Sequence, residues 1–313
     1  MSNRLTMVMT GLDEGEEVDE TLASIRATAA DAVDIVFVND GSTDGHDYAG
    51  AARRHGAIYV ENPSRRGVGR ARDVGVEHVK TPNAMIIDSH MRFREDDWWR
   101  RVNDAIADDP RAIYCTRCDP LDKEGQRLWQ QPTQHGAWIQ FEGETESQVL
   151  EPKWLVHDSF DAPRIDIPCV MGATYAFDVA YYQKLGGLLG IRGWGVDEAY
   201  LSLKAWLEGG RCRLLTDIEI GHKFKWDNPY PVFNAHLYYN KLFVFETVLP
   251  REVGAHLRGV LAACAENPEA FARTEARIEE HRDLLDRLRA YYESIFTRPF
   301  SEVRALSEAA SRA

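Results

Sequence analysis

Three groups of residues in this chain have types and spacings suited to chemistry. "AMIIDSHMRF" is an apolar run that stops at Asp88-Ser89-His90. In an extended chain the side chains at i and i+2 point the same way, so Asp88 and His90 can grip one object together. His222 opens "GHKFK" far downstream, and Asp197-Glu198 form an acidic pair in "GWGVDEAYLSLKAW". One carboxylate with two imidazoles is a mixed oxygen and nitrogen set that suits a divalent transition ion and leaves positions for substrate oxygens. Each part alone is a weak signal, because a single histidine at a strand end is more often structural than a ligand.

The elements that must position these residues are legible in the first half. "RLTMVMTG", "VDIVFVND", "AIYVEN" and "NAMIIDSH" read as strands. Between them "EEVDETLASIRATA", "DYAGAARRHG" and "GVGRARDVGVEHVK" carry helical spacing, as at Val18, Leu22 and Ile25. Strands alternating with helices predict βαβ units and a mostly parallel sheet. Ligands bind such sheets at the carboxyl ends of the strands. Thr10, Asp40, Asn62 and Asp88 all fall there. Residues 119–168 lack clear periodicity, which predicts a functional loop system or short hairpins. "DEAYLSLKAWLEGG" reads as an amphipathic helix stopped by Gly209-Gly210, and "RCRLLTDIEIGHKFK" as a strand ending at His222. After Pro250 the pattern is helical to the end.

Composition sets bounds. The chain has 313 residues, 44% of them hydrophobic and 28% charged, ordinary for a globular protein with a sizeable core. No apolar run approaches the ~20 residues that span a bilayer. The start, "MSNRLTMVMTGLDEGEE", lacks a signal-peptide pattern, so a cytoplasmic protein is the expectation. The five cysteines are scattered and suggest no disulfide framework. The CTRC at Cys115–Cys118 reads as part of a strand, not a zinc or redox motif. A net charge of −13 argues weakly against a nucleic-acid partner. Of the local basic residues, Arg65 is kept as a functional candidate, and Arg66, Arg70 and Arg72 read as a solvated helix face. Trp98-Trp99 and the aromatics of "HLYYNKLFVFE" read as packing surface, and His236 and His281 do not rise above background.

Taken in order, the motifs resemble a GT-A-fold glycosyltransferase of the family 2 type. The likeness is greatest to the catalytic domain of polypeptide N-acetylgalactosaminyltransferases. "VFVNDGSTDG" resembles the nucleotide-binding segment of that group. "SRRGVGRARDVGVEHVKTPNAMIIDSH" resembles its Arg-x-Gly-Leu-x-x-x-Arg stretch followed by Asp-Ser-His. "GWGVDEAYLSLKAWLEGGRCRLLTDIEIGHKFK" resembles its Trp-Gly-Gly-Glu-Asn helix, paired glycines and Gly-His-x-Phe-Arg strand.

The resemblance implies a metal-dependent transfer of a hexose or N-acetylhexosamine from a UDP-sugar to an acceptor hydroxyl, with retention. It implies that Asp88, His90 and His222 ligate Mn²⁺ (or Mg²⁺). Thr10, Asp40, Arg65, Ser89 and Lys225 would serve the donor, and Trp194, Asp197 and Glu198 the transferred sugar. It also implies a catalytic domain over 1–226, split near 118 into nucleotide and acceptor halves. A lid or linker would follow at 227–249, with "KWDNPYPVF" at its start; the helical extension expected over 250–313 lies outside the resemblance. Two departures stand out: Asn39 replaces the first acid of an Asp-Asp pair, and Val196-Asp197-Glu198 stands where the group has Gly-Glu-Asn. The acceptor stays open among protein, glycan or lipid-linked saccharide, and a hydroxymethylated base. A nucleotidyltransferase and a non-catalytic sugar-nucleotide-binding module are the alternatives, and the sequence assigns no oligomeric state.

Overall fold

The structure, a computed structural model, describes residues 4–155, 160–171, 173–225 and 234–312. The first half alternates as expected: β1 (Leu5–Gly11), α1 (Glu17–Ala29), β2 (Val33–Asn39), α2 (Tyr48–Arg54), β3 (Ile58–Glu61), α3 (Val68–Glu77) and β4 (Asn83–Asp88). After it come β5 (Met91–Arg92), α4 (Trp98–Asp108) and β6 (Ala112–Pro120), the last holding Cys115 and Cys118 as buried free thiols in a strand. The middle consists of short strands, β7 (His135–Gln140), β8 (Glu151–Leu155), β9 (Arg164–Asp166) and β10 (Thr174–Asp178). Then follow α5 (Val179–Lys184), α6 (Asp197–Leu207), β11 (Arg211–His222), α7 (Asn234–Thr247), α8 (Arg251–Cys264), α9 (Pro268–Glu280), α10 (Arg282–Ile295) and α11 (Phe300–Ala310).

Nine of these strands form one sheet in the order β3-β2-β1-β4-β10-β6-β11-β5, with β9 added on β11. The pairings β3-β2, β2-β1, β1-β4 and β6-β11 are parallel, whereas β10 runs antiparallel between β4 and β6. β1 is buried along its whole length because helices cover both faces, which is why it reads as a continuous apolar run. β7 and β8 pair apart from the main sheet.

The smallest strand matters most to the site. After Asp88 the chain bends through Ser89-His90 and runs back as β5, antiparallel to the end of β11, with Met91 opposite His222 and Arg92 opposite Gly221. The Lys223 amide donates to the His90 carbonyl at 3.1 Å. From α1, the buried Thr21 hydroxyl donates to the Ser89 carbonyl (2.9 Å) and accepts from the Met91 amide (3.0 Å), fixing the bend on both sides of His90.

Two expectations change. α6 is not amphipathic: Ala199 through Leu207 are all buried, including Lys204, whose ammonium donates to the Gly187 carbonyl and lies 3.6 Å from the Tyr200 ring centroid. It is enclosed because the C-terminal helices cover the face that the pattern assigns to solvent. Tyr200 and Tyr292 share a 2.7 Å hydrogen bond, and Arg298 donates to the Trp206 and Gly210 carbonyls at 3.0 Å. Ser307 of α11 exchanges hydrogen bonds with both backbone groups of Ile139 in β7. The helices after Pro250 thus share one hydrophobic core with the sheet. α7 occupies most of the stretch expected as lid or linker, and Tyr238, Tyr239, Phe243 and Phe245 are core residues. Residues 226–233 of the expected lid lie outside the described residues.

At Gly67 the chain entering α3 crosses the loop before α6 backbone on backbone. A Cβ there would sit 2.5 Å from the Gly193 nitrogen, and φ is +91°, a conformation open to glycine. The Val68 amide donates to the Gly193 carbonyl at 2.8 Å. Gly67→Ala is therefore expected to destabilise the protein by about 2–4 kcal/mol, combining backbone strain with overpacking. A lower urea midpoint at unchanged m-value checks this, and an unchanged midpoint refutes it.

Candidate functional site

Asp88, His90 and His222 come together at the carboxyl end of the sheet. One ligand atom from each lies within 4.8 Å of the others. Asp88 Oδ2 is 3.7 Å from His222 Nε2 and 4.0 Å from His90 Nε2, and the two imidazoles stack with centroids 4.9 Å apart. Both ring nitrogens of His222 are buried without a hydrogen-bond partner among the described residues. Burial, then His90, push the His222 imidazole down to about 3, so it stays neutral and keeps a lone pair to give. His90 Nδ1 lies 3.2 Å from Glu14 Oε2, the carboxylate backing that orients a ligating imidazole. A buried neutral histidine with orphaned nitrogens, a second backed by a carboxylate, and an aspartate within reach of both fit a divalent cation such as Mn²⁺ or Mg²⁺.

Arg72 shapes this cluster, and the expectation of a solvated face fails for it. Its guanidinium is buried, with Nη2 donating to Asp88 Oδ1 at 3.0 Å and Nη1 paired with Asp197 Oδ2. It also lies 5.0 Å from the Tyr175 ring centroid. Asp88 therefore offers one oxygen to Arg72 and turns the other to the histidines. Burial would raise the Asp88 carboxyl, but Arg72, His90 and His222 outweigh it and hold it below the usual range. The signal was present in the sequence. Val68, Ala71, Arg72 and Gly75 stand at i, i+3, i+4 and i+7 of α3, so Arg72 falls in an apolar stripe and needs a buried partner.

A cavity of about 270 Å³ opens on these groups. Its wall includes Thr10, Asp40, Arg65, Asp88, His90, Trp194, Asp197, Glu198, His222 and Lys225, which are the expected site residues with the exception of Ser89. Ser89 is buried and does not reach the cavity wall; its hydroxyl lies against Gly11, which does line the cavity. Its odd position between Asp88 and His90 keeps it off the face that those two share. Asp40 accepts from Asn62 Nδ2 (2.8 Å) and from the Arg66 and Gly67 amides (2.9 Å each), so it also ties down the loop leading into α3. Burial raises its carboxyl despite those donors. The turn after β2 is capped by Asn39, whose Oδ1 accepts from the Ser42 amide, so the departure at 39 serves local structure.

Lys225 pairs with Glu14 at 2.5 Å. Burial works against Glu14, but His90 and Lys225 hold its carboxyl below the usual range. Glu198 accepts from the Tyr175 hydroxyl at 3.0 Å, and burial with the adjacent Asp197 pushes its carboxyl up. Glu14, Tyr175, Trp154 and Phe224 also line the cavity. Phe224 falls within the Gly-His-x-Phe motif, two residues past His222, but no local spacing marks the other three, since each arrives from a different element.

Arg72→Leu leaves two buried carboxylates without their cation and is expected to cost about 3–5 kcal/mol of folding stability. Arg72→Lys keeps the charge but not the fork that serves both carboxylates, so the fold should persist while Mn²⁺ affinity falls about 10–100-fold. Titration calorimetry of Mn²⁺ on the Lys variant decides the point, and wild-type affinity would remove Arg72 from the site.

Among the described residues no helix is long and apolar enough to cross a membrane. Human polypeptide N-acetylgalactosaminyltransferase 14 is 21% identical over 276 residues, covering 84% of this chain and 48% of that protein. The Xenopus tropicalis polypeptide N-acetylgalactosaminyltransferase 11 is 26% identical over 186 residues, 56% of this chain and 29% of that one. The chain thus spans about half, or less, of the length of these curated relatives. A crystal structure of GalNAc-T7 with UDP, GalNAc and Mn²⁺ superposes with a TM-score of 0.64 at 17% identity, covering 89% of this chain and 55% of that one. The fold is accordingly the GT-A architecture, a mixed sheet flanked by helices. Residues 6–164 match glycosyl transferase family 2, and the chain belongs to that family.

Proposed function

We propose that the chain is a metal-dependent glycosyltransferase that moves a hexosyl or N-acetylhexosaminyl group from a UDP-sugar to an acceptor hydroxyl, with retention at the anomeric carbon. The observation that carries this reading is the cluster of Asp88, His90 and His222 at the wall of one cavity, with both nitrogens of His222 buried and unpartnered. These three residues would hold the cation. Once bound, it would neutralise the charge that the nucleoside diphosphate gains as the glycosidic bond breaks.

The chain's own residues divide the remaining work. Thr10, Asp40 and Arg65 lie on the cavity wall as a nucleoside end. Lys225, held by Glu14, stands beside His90 and His222 where a diphosphate would lie. Trp194, Asp197 and Glu198 line the side that would receive the sugar. Glu14 also supports a diphosphate over a triphosphate, because a carboxylate beside the phosphate end disfavours further negative charge. That weighs against a nucleotidyltransferase.

The two carboxylates on the sugar side support retention. An inverting enzyme needs a basic carboxylate to take the acceptor proton. Asp197 is committed to the buried Arg72 guanidinium, and burial beside Asp197 favours the protonated form of Glu198. With neither poised as base, the departing phosphate is the group left to accept the proton on the same face.

In a thermal-shift series, UDP with Mn²⁺ is expected to raise the melting temperature, and UDP with EDTA to leave it unchanged. A larger shift with UTP than with UDP would overturn the donor reading. Slow hydrolysis of UDP-sugars without acceptor, followed by NMR at early times, is expected to release the α-anomer first. First release of the β-anomer would overturn retention.

A further inference from the structure

Beside the cavity, three arginines and a histidine from separate parts of the fold converge. Arg65 is on the cavity wall, Arg192 precedes α6, His236 is in the first turn of α7, and Arg277 is in the last turn of α9. His236 lies against Gly193, where a Cβ would come within 2.3 Å of its Nδ1, and Gly193 and Trp194 line the cavity. Arg65, Arg192 and Arg277 all lie within electrostatic reach of His236. Arg192 is set by its surroundings: its guanidinium carbon is 3.8 Å from the Tyr239 ring centroid, and Asn240 holds the Arg192 amide and carbonyl at 2.8 Å each.

This cluster is unusual for the chain, whose net charge is −13. The nearby arginines of the same helical layer are neutralised, Arg258 by Glu246 and Glu275, and Arg282 by Glu246 and Glu279. Among the described residues, no carboxylate lies within salt-bridge range of Arg192 or Arg277. Like charges such as Arg192 and Arg277, held near one another with no carboxylate in range among the described residues, repel, and such an arrangement becomes favourable when an anion enters it. Burial, followed by the three guanidiniums, pushes the His236 imidazole down.

We propose that Arg192, His236 and Arg277 form a subsite for an anionic group of the acceptor, a phosphate, sulfate or carboxylate near the hydroxyl that receives the sugar. This rests on the donor reading above. The donor's diphosphate belongs with Lys225 and the Asp88, His90 and His222 cluster, whereas His236 abuts Gly193 next to Trp194, on the sugar side. An acceptor hydroxyl must approach from that side to meet the anomeric carbon. Trp194, 44% exposed, lies next in the chain to Gly193 and offers an indole surface to a molecule held there. The subsite also gives α9 a part in recognition, since Arg277 reaches the site from the C-terminal helices.

The test uses the full chain saturated with UDP and Mn²⁺ at low ionic strength. Glucose 6-phosphate and glucose serve as charged and neutral probes, each titrated calorimetrically. The phosphorylated probe is expected to bind about tenfold tighter than glucose. The Arg192→Gln/Arg277→Gln double variant should lose that preference with UDP and Mn²⁺ affinity unchanged, and Arg277→Lys should keep most of it. Equal binding of the two probes to the wild type, or a preference that survives in the double variant, overturns the subsite. Binding of glucose 6-phosphate only in the absence of UDP assigns the anion to the donor's diphosphate position and also overturns it. Failure of UDP and Mn²⁺ to bind at all is a separate result, which removes the donor reading together with the acceptor assignment built on it.

Discussion

Asp88 serves two neighbours at once. Arg72 draws one carboxylate oxygen toward α3, and the other is left to the stacked imidazoles of His90 and His222. A buried carboxylate without a cation is expensive, so the aspartate and the arginine hold each other in place. The same guanidinium takes Asp197, which ties the end of the cavity at Asp88, His90 and His222 to the end at Asp197 and Glu198. The consequence is rigidity where chemistry needs it: neither carboxylate can turn away without leaving a charge buried and unpaired.

Backbone pairing supplies the other half of that constraint. β5 is two residues long, yet its ladder to the end of β11 sets His90 beside His222. Thr21 of α1 closes the bend from the opposite side with both lone pair and proton. The cluster of Asp88, His90 and His222 is therefore held by three elements that meet only in the folded chain.

The C-terminal helices belong to the same economy of burial. They enclose α6, share the core of the sheet, and bring Arg277 of α9 within electrostatic reach of His236 on α7. A catalytic sheet closed on one side by these helices explains why α6 carries apolar residues on every face. It also explains how a strongly acidic chain can concentrate positive charge at one place, since the cations come from elements that are far apart in sequence and need not neutralise one another locally.

The alternation of strands and helices, the carboxyl-end location of Thr10, Asp40 and Asp88, and the pairing of Asp88 with His90 were decided by local pattern, because periodicities of two and about 3.6 residues are written directly in the order of side chains. The ordered motifs pointed to His222 as the third ligand. Other features needed more than local pattern. Ser89 sits inside a motif but stays off the cavity wall, on the odd position of the extended chain. Arg72 sits in a basic run whose charge suggested solvent; its place in the apolar stripe of α3 marked it as needing a buried partner, and only the fold shows that the partners are Asp88 and Asp197. Glu14, Tyr175 and the cluster around His236 depend on distances between elements, which no local spacing encodes. Sequence determined what each segment could become; the packing of those segments decided which charges would face each other, because electrostatic partnership is set by proximity in space and by exclusion of water.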